Sequence, residues 1–434
     1  MSPMSPMSPT DTMPRTTRRL CVFFVATTVC VVFGVTPRTA NAQDASQAAE
    51  DNVQEYRFSI QTWQGERIGA DTIEPSIAAL ELNRADTNAG TTHTVPWHGI
   101  RIIEGPITDD TASFLAMGRE IWRATTRLER GDSFGAEPLF ESAFERTRGT
   151  VGPTQAVVAD GLLRCRLRRD ARAAAVDAWL ELAANLAAAP AANPDWNLRL
   201  TAIDRRTRLV PSLPPIWFDS LPARAFADAL DFELPGSTTS GQPTRPGEPA
   251  AAIRTLYRAA ARYALGDPID PTATSQAAEA ASAREGGRLV AQVVLAQIGG
   301  AEVRAAARES LLKELDTREG RWRSVWASLA IGRSLLREPD PADQRAGILT
   351  LLSIHATDAD VTPYLTGIAL ADAALAAERL GDDDAADTIR ADLAREYPDH
   401  PVRQLPGLAH SVPTTPRTLA STVDSPPGAQ RWTN

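Results

Sequence analysis

The chain has 434 residues, is 43% hydrophobic, 23% charged and 6% aromatic, and carries a formal net charge of −9. That balance excludes a disordered chain, a collagen and a multi-span membrane protein, and the length allows two or three domains of roughly 150 residues each. The basic residues are 44 Arg and a single Lys, Lys313, a compositional bias rather than a binding feature.

Residues 1–42 read as a signal peptide. Arg15, Arg18 and Arg19 precede an uncharged run from Leu20 to Val35, and Ala40-Asn41-Ala42 forms a small-x-small cleavage site before Gln43. A positive flank, a short apolar run and such a site together mark export. The run is shorter than the about 20 residues that a membrane span needs. The expectation is an exported chain of the periplasm or cell envelope, with no membrane span after cleavage. Cys21 and Cys30 fall in this segment, so the mature chain keeps only Cys165 and cannot close an internal disulfide. The segment also holds four Arg and one Asp, which leaves −12 on residues 43–434. A chain that acidic is a poor partner for nucleic acid.

From Val53 the character changes. Tyr56, Phe58 and Ile60 alternate with polar residues, Ile68, Ile73, Leu80 and Leu82 follow, and Val95, Trp97, Ile100 and Ile102 close the region. Period-two alternation with turn signals predicts a small β module over residues 53–107. Four or five strands fit either a β-barrel-like unit, SH3-like or Sm-like, or an open β-meander.

After Pro106 helical periodicity runs to about Tyr397. Two stretches share one spacing. Ala124, Gly131, Ala136, Phe140 and Ala143 are separated by steps of 7, 5, 4 and 3, and so are Ala374, Gly381, Ala386, Arg390 and Leu393, with Pro398 five further on. A small residue lets a second helix approach, the Gly ends the first helix, and the Ala after it faces back. Ala136 and Ala386 are therefore expected at helix contacts, with Glu137 and Asp387 turned about 100° away. This spacing resembles the tetratricopeptide repeat. The first copy has Arg148 where that pattern ends in Pro, and the second has Arg390 where it has an aromatic. Looser pairs lie at 153–188, 251–284, 287–316 and 322–356. The resemblance implies a mainly α fold, an α-α solenoid of tetratricopeptide-like helix pairs; a HEAT-like array is the alternative.

The array is interrupted at 206–249. RLVPSLPPIWFDSLP opens this Pro-rich break, a short helix Ala223 to Phe232 follows, and Pro235 to Pro249 is a Gly/Ser/Thr/Pro linker. The helical region thus divides into 108–205 and 250–402, before a tail over 403–434 that is expected to be disordered.

No phosphate-loop, nucleophile-elbow, zinc-protease or C-x-x-C motif is present. The reading therefore assigns no catalytic, cofactor-binding or metal residues. His93 and His98 lack companion ligands at recognised spacing. Asp382-Asp383-Asp384 and Asp132 suit the start of a helix better than calcium. Arg164, Arg166, Arg168, Arg169 and Arg172 form the densest basic run, a solvated helix face or, alternatively, a groove for an acidic peptide. Cys165 reads as a small core residue whose neighbouring arginines could lower its pKa. Trp217-Phe218 either plugs one end of a helical block or forms a binding lip. The function expected is non-catalytic binding of a protein or peptide partner. An α/α-toroid enzyme acting on cell-wall glycan and a structural envelope protein are the alternatives.

Overall fold

The structure, a computed structural model, describes residues 56–83, 92–188, 198, 200–216, 249–315, 321–405 and 407–408. Residues 1–55 lie outside the described residues, as does the predicted helix at 223–232. Residues 56–434 cluster as one compact unit.

Alternation builds the β module. β1 (Phe58–Thr62) buries Phe58, Ile60 and Thr62 and pairs antiparallel with β2 (Arg67–Ala70) and β6 (Ile100–Glu104), Ile60 lying opposite Ile68 and Ile103. A second sheet joins β3 (Thr72–Pro75), β4 (Leu80–Asn83) and β5 (His93–Val95), with Ile73 opposite Leu82 and Leu80 opposite Val95. The strand orders are β2-β1-β6 and β3-β4-β5, so the module is two open three-stranded sheets and not a closed barrel. The helix that follows, Asp109–Glu129, packs against β3, β6 and the 3-10 turn before β6. Trp97, in the 3-10 turn Trp97–Gly99, is fully buried, donates its indole N–H to the Ser76 carbonyl at 2.7 Å and donates its backbone amide to the Thr154 hydroxyl oxygen at 3.1 Å. Trp63 stacks on Trp122 of the first helix with ring centroids 3.9 Å apart.

Twelve helices are described, and neighbours in the chain pack on one another, most pairs closely. They are α1 (Asp109–Glu129), α2 (Ser133–Thr147), α3 (Pro153–Arg168) and α4 (Arg172–Ala188), then α5 (Pro249–Leu265), α6 (Pro271–Ala281), α7 (Glu285–Ile298) and α8 (Ala301–Leu315), and finally α9 (Arg321–Leu335), α10 (Pro341–Asp358), α11 (Pro363–Arg379) and α12 (Asp383–Glu396). The architecture is a mainly α helical repeat. Contacts also join α1 to α3, α5 to α7, α7 to α9 and α9 to α11. The odd-numbered helices thus form the inner layer, and the even-numbered ones coat it. Burial follows: α11 buries most of its length, whereas α12 buries only Ala386, Ile389 and Leu393.

The shared spacing has a physical basis. Gly131 and Gly381 take φ of 90° and 77°, a left-handed turn that would strain any other L-residue. The next residue caps the following helix in both copies. Asp132 accepts the Gly135 amide at 2.8 Å, and Asp382 the Ala385 amide at 3.2 Å. Ala124, Ala136, Ala143, Ala374 and Ala386 are fully buried between helices. Asp387 is exposed as expected, but Glu137 is buried. Helix α2 lies between α1 and α3, so it has two covered faces, and Glu137 meets Arg166 of α3 and Arg169 just past its end.

The described start of the Pro-rich break, residues 206–216, packs onto the fold. Within residues 200–216, Leu209, Val210, Leu213 and Ile216 are buried and join the common core. This segment is called the strap below. At the far end, residues 401–404 form a 3-10 turn, and Val402 and Leu408 are buried, so packed chain runs past residue 403.

Candidate binding cleft and the strap beside it

The inner layer, together with α4, receives the strap through side-chain donors. Trp179 of α4 donates to the Arg208 carbonyl at 2.9 Å, and Trp326 of α9 to the Pro211 carbonyl at 2.8 Å. The Tyr257 hydroxyl of α5 donates to the Leu213 carbonyl, and Gln297 Nε2 of α7 to the Pro215 carbonyl at 3.2 Å. A prolyl chain has few N–H groups, so its carbonyls are what a surface must satisfy. Gly286 lets the Thr207 carbonyl press against the start of α7, where any Cβ would collide with it. Glu285 bridges Arg206 of the strap at 2.9 Å and Arg323 of α9, whose hydrogen bond holds the Glu285 carboxyl below the usual carboxylate range.

The strap crosses the inner layer and leaves an open cleft of about 300 Å³ towards the C-terminal ends of its helices. Ala260, Tyr263 and Ala264 of α5 and Gln297 of α7 form one side. Arg333, Leu336 and Arg337 at the end of α9, with Asp372, Leu375 and Arg379 of α11, form the other. Arg333 and Asp372 pair at 2.6 Å, and Arg337 lies 4.9 Å from the Tyr263 ring centroid. Gln297 belongs to both features, so strap and cleft are continuous. None of these residues stands out in the sequence. Six of the ten carry a long polar, charged or aromatic side chain, and the other four are Ala or Leu of helices whose apolar pattern looks like any other.

The basic run has a different fate. Arg164 pairs with Asp160, Arg166 with Glu137 and Glu141, and Arg169 with Glu137. Arg168 donates to the Leu128 carbonyl at 2.9 Å. Arg172 pairs with Asp170 and lies 3.4 Å from the Tyr364 ring centroid of α11. These arginines tie helices together, and α4 meets α11 through the last of them.

Cys165 sits among them, fully buried. Burial, and then Glu137, push its thiol up to about 12, outweighing Arg164, Arg168 and Arg166. The expected lowering by the arginines is present but smaller than the effect of burial. Cys165 should therefore resist a thiol reagent at pH 8 in the native chain and react only as the chain unfolds; rapid native labelling would contradict the burial.

His98 lies in the 3-10 turn beside Trp97, and burial pushes it down to about 4. His93 is exposed on β5. Among the described residues no group of three or more His, Cys, Asp or Glu could hold a metal. Trp217-Phe218 lies outside the described residues, although Ile216 before it is buried.

His400 closes the end of the array. Its Nδ1 accepts the Val402 amide at 3.1 Å, its Nε2 meets the Tyr364 carbonyl at 2.9 Å, and its ring stacks on Tyr364. Burial first, and Arg172 as well, lower its pKa, against the raising effect of the Tyr364 carbonyl. A His depressed in the folded state contributes stability above its unfolded value, near 6.5, and loses it as pH falls through the folded value. The urea midpoint should fall below pH 6.5, and the fall should be shallower in His400→Gln. His98 adds a slope of the same sign in both chains, so the difference between them isolates His400.

No family model, no curated protein and no solved structure matches this chain.

Proposed function

We propose that this is an exported cell-envelope protein that binds a protein or peptide partner through tetratricopeptide-like helix pairs and performs no catalysis. The observation that carries the reading is the treatment of the strap. Four side chains from α4, α5, α7 and α9 receive the carbonyls of a turn-rich, Pro-rich segment. A helical surface able to hold irregular main chain by its carbonyls is the kind of surface by which stacked helix pairs engage peptides. The signal-like residues 1–42 support export. The tetratricopeptide-like character rests on the paired Gly-Asp turns and buried alanines.

A glycan-cleaving toroid would need two carboxylates facing each other across a cleft. Asp372 supplies the carboxylate of this cleft and is engaged by Arg333, which favours binding over that chemistry. Affinity capture from envelope extract with the chain starting at Gln43 tests the reading. A protein partner retained in stoichiometric amount supports it; turnover of a cell-wall glycan by the purified chain would overturn it.

A further inference from the structure

The cleft beside the strap is a basic island on an acidic chain. It holds three guanidinium groups, Arg333, Arg337 and Arg379, against one carboxylate, Asp372. Arg333 and Asp372 neutralise each other at 2.6 Å. Arg337 rests on the Tyr263 ring, a contact that leaves its charge uncompensated. Arg379 is exposed and has no hydrogen-bond or ion-pair partner among the described residues. A cation at a helix C-terminus is favourable by itself, which accounts for an arginine near the end of α9 and another near the end of α11. It does not account for both facing one cavity. Between them lie Leu336, Leu375 and the Tyr263 ring, an apolar wall beside the two charges.

We propose that this cleft binds a small organic anion, its carboxylate or phosphate oxygens on Arg337 and Arg379 and its apolar body against Leu336, Leu375 and Tyr263. Guanidinium groups present planar forks of donors that match such oxygens. The size fits a small molecule: about 300 Å³ lies at the low end of ligand sites. The ten residues that line the cavity border room for a small molecule and not a course along the layer for an extended peptide. The site is thus separate from the partner-binding role proposed above and stands or falls without it.

Ligand-observed NMR and calorimetry on the purified chain test this with benzoate and phenyl phosphate as probes. Benzamide serves as the neutral control, and the acidic hexapeptide Ala-Leu-Ala-Leu-Ala-Asp as the peptide control. Saturable binding of either anion, at least about tenfold tighter than benzamide, is expected from charge-assisted hydrogen bonds. The double variant Arg337→Gln, Arg379→Gln should lose that difference while keeping its circular dichroism melt. The tighter of the two anions assigns carboxylate or phosphate as the natural group. Equal binding of benzamide, or undiminished anion binding by the double variant, would overturn the proposal. Binding of the hexapeptide alone would also overturn it and make the cleft part of a peptide groove.

Discussion

Replacing Glu137 by Leu should cost about 3 kcal/mol, whereas Asp387→Leu, the matching position in the second copy of the spacing, should stay within about 0.5 kcal/mol. The side chain of Glu137 is 5% exposed and faces Arg166 and Arg169, themselves 15% and 45% exposed. Removing the carboxylate leaves the largely buried Arg166 with Glu141 alone to share its charge, and takes from Arg169 the carboxylate that it pairs with. The half-exposed Arg169 can recover water, which places the cost at the low end of what breaking a buried pair brings. Asp387 is 73% exposed and loses only a contact with Arg390. Ala136→Leu and Ala386→Leu should each cost about 1–3 kcal/mol, because both alanines are fully buried between helices. Urea denaturation of the four variants checks the pattern: two damaging neighbours in α2, one damaging and one tolerant neighbour in α12. Tolerance of Glu137→Leu would mean that the Glu137 cluster does not hold α2 to α3.

Trp326→Ala should be the most damaging single change in the second half of the chain, at about 3–5 kcal/mol for loss of a fully buried indole. Trp326→Phe separates the two roles of the side chain. It keeps most of the ring volume but leaves the Pro211 carbonyl without its donor, which should cost about 1–3 kcal/mol. Hydrogen exchange gives the local readout. The Leu213 amide bonds to the Val210 carbonyl and the Ile216 amide to the Pro214 carbonyl. Both should exchange faster in Trp326→Phe, while the amides of α1 should not change. Equal acceleration throughout would show global destabilisation in place of a loosened strap.

The helix pairs are legible because their signals are local. Gly131 followed by Asp132, and Gly381 followed by Asp382, announce a C-terminus and the next N-cap within two residues. Asp270-Pro271 and Asp340-Pro341 do the same, each Asp capping a helix with Pro in its first turn. The fate of Glu137 is not legible, since it depends on Arg166 and Arg169 one helix later. The strap hides for a related reason. Its contribution is made by main-chain carbonyls, which every residue has, and only the buried Trp179, Tyr257 and Trp326 hint that acceptors must exist. The open sheets illustrate a third limit. Alternation places Phe58, Ile60 and Ile68 on one face but cannot say whether a strand or α1 will cover it. The cleft is the least visible feature, because Tyr263, Arg337 and Arg379 come from three separate helices.

The strap also bears on how this chain acquires its structure. A plain helical array can fold from any point by adding neighbours, and its stability is close to a sum over adjacent pairs. Here the Pro211 carbonyl waits for Trp326, 115 residues further along, and the Pro215 carbonyl for Gln297, 82 residues further along. During synthesis the strap leaves the ribosome well before α7 and α9 exist to receive it. Pairwise zippering can form α1 to α4 early, but the middle of the molecule must stay unsettled until α9 has appeared. Such long-range closures slow folding. They also make the array an all-or-none object, in which loss of α9 should release the strap from α5 and α7 as well.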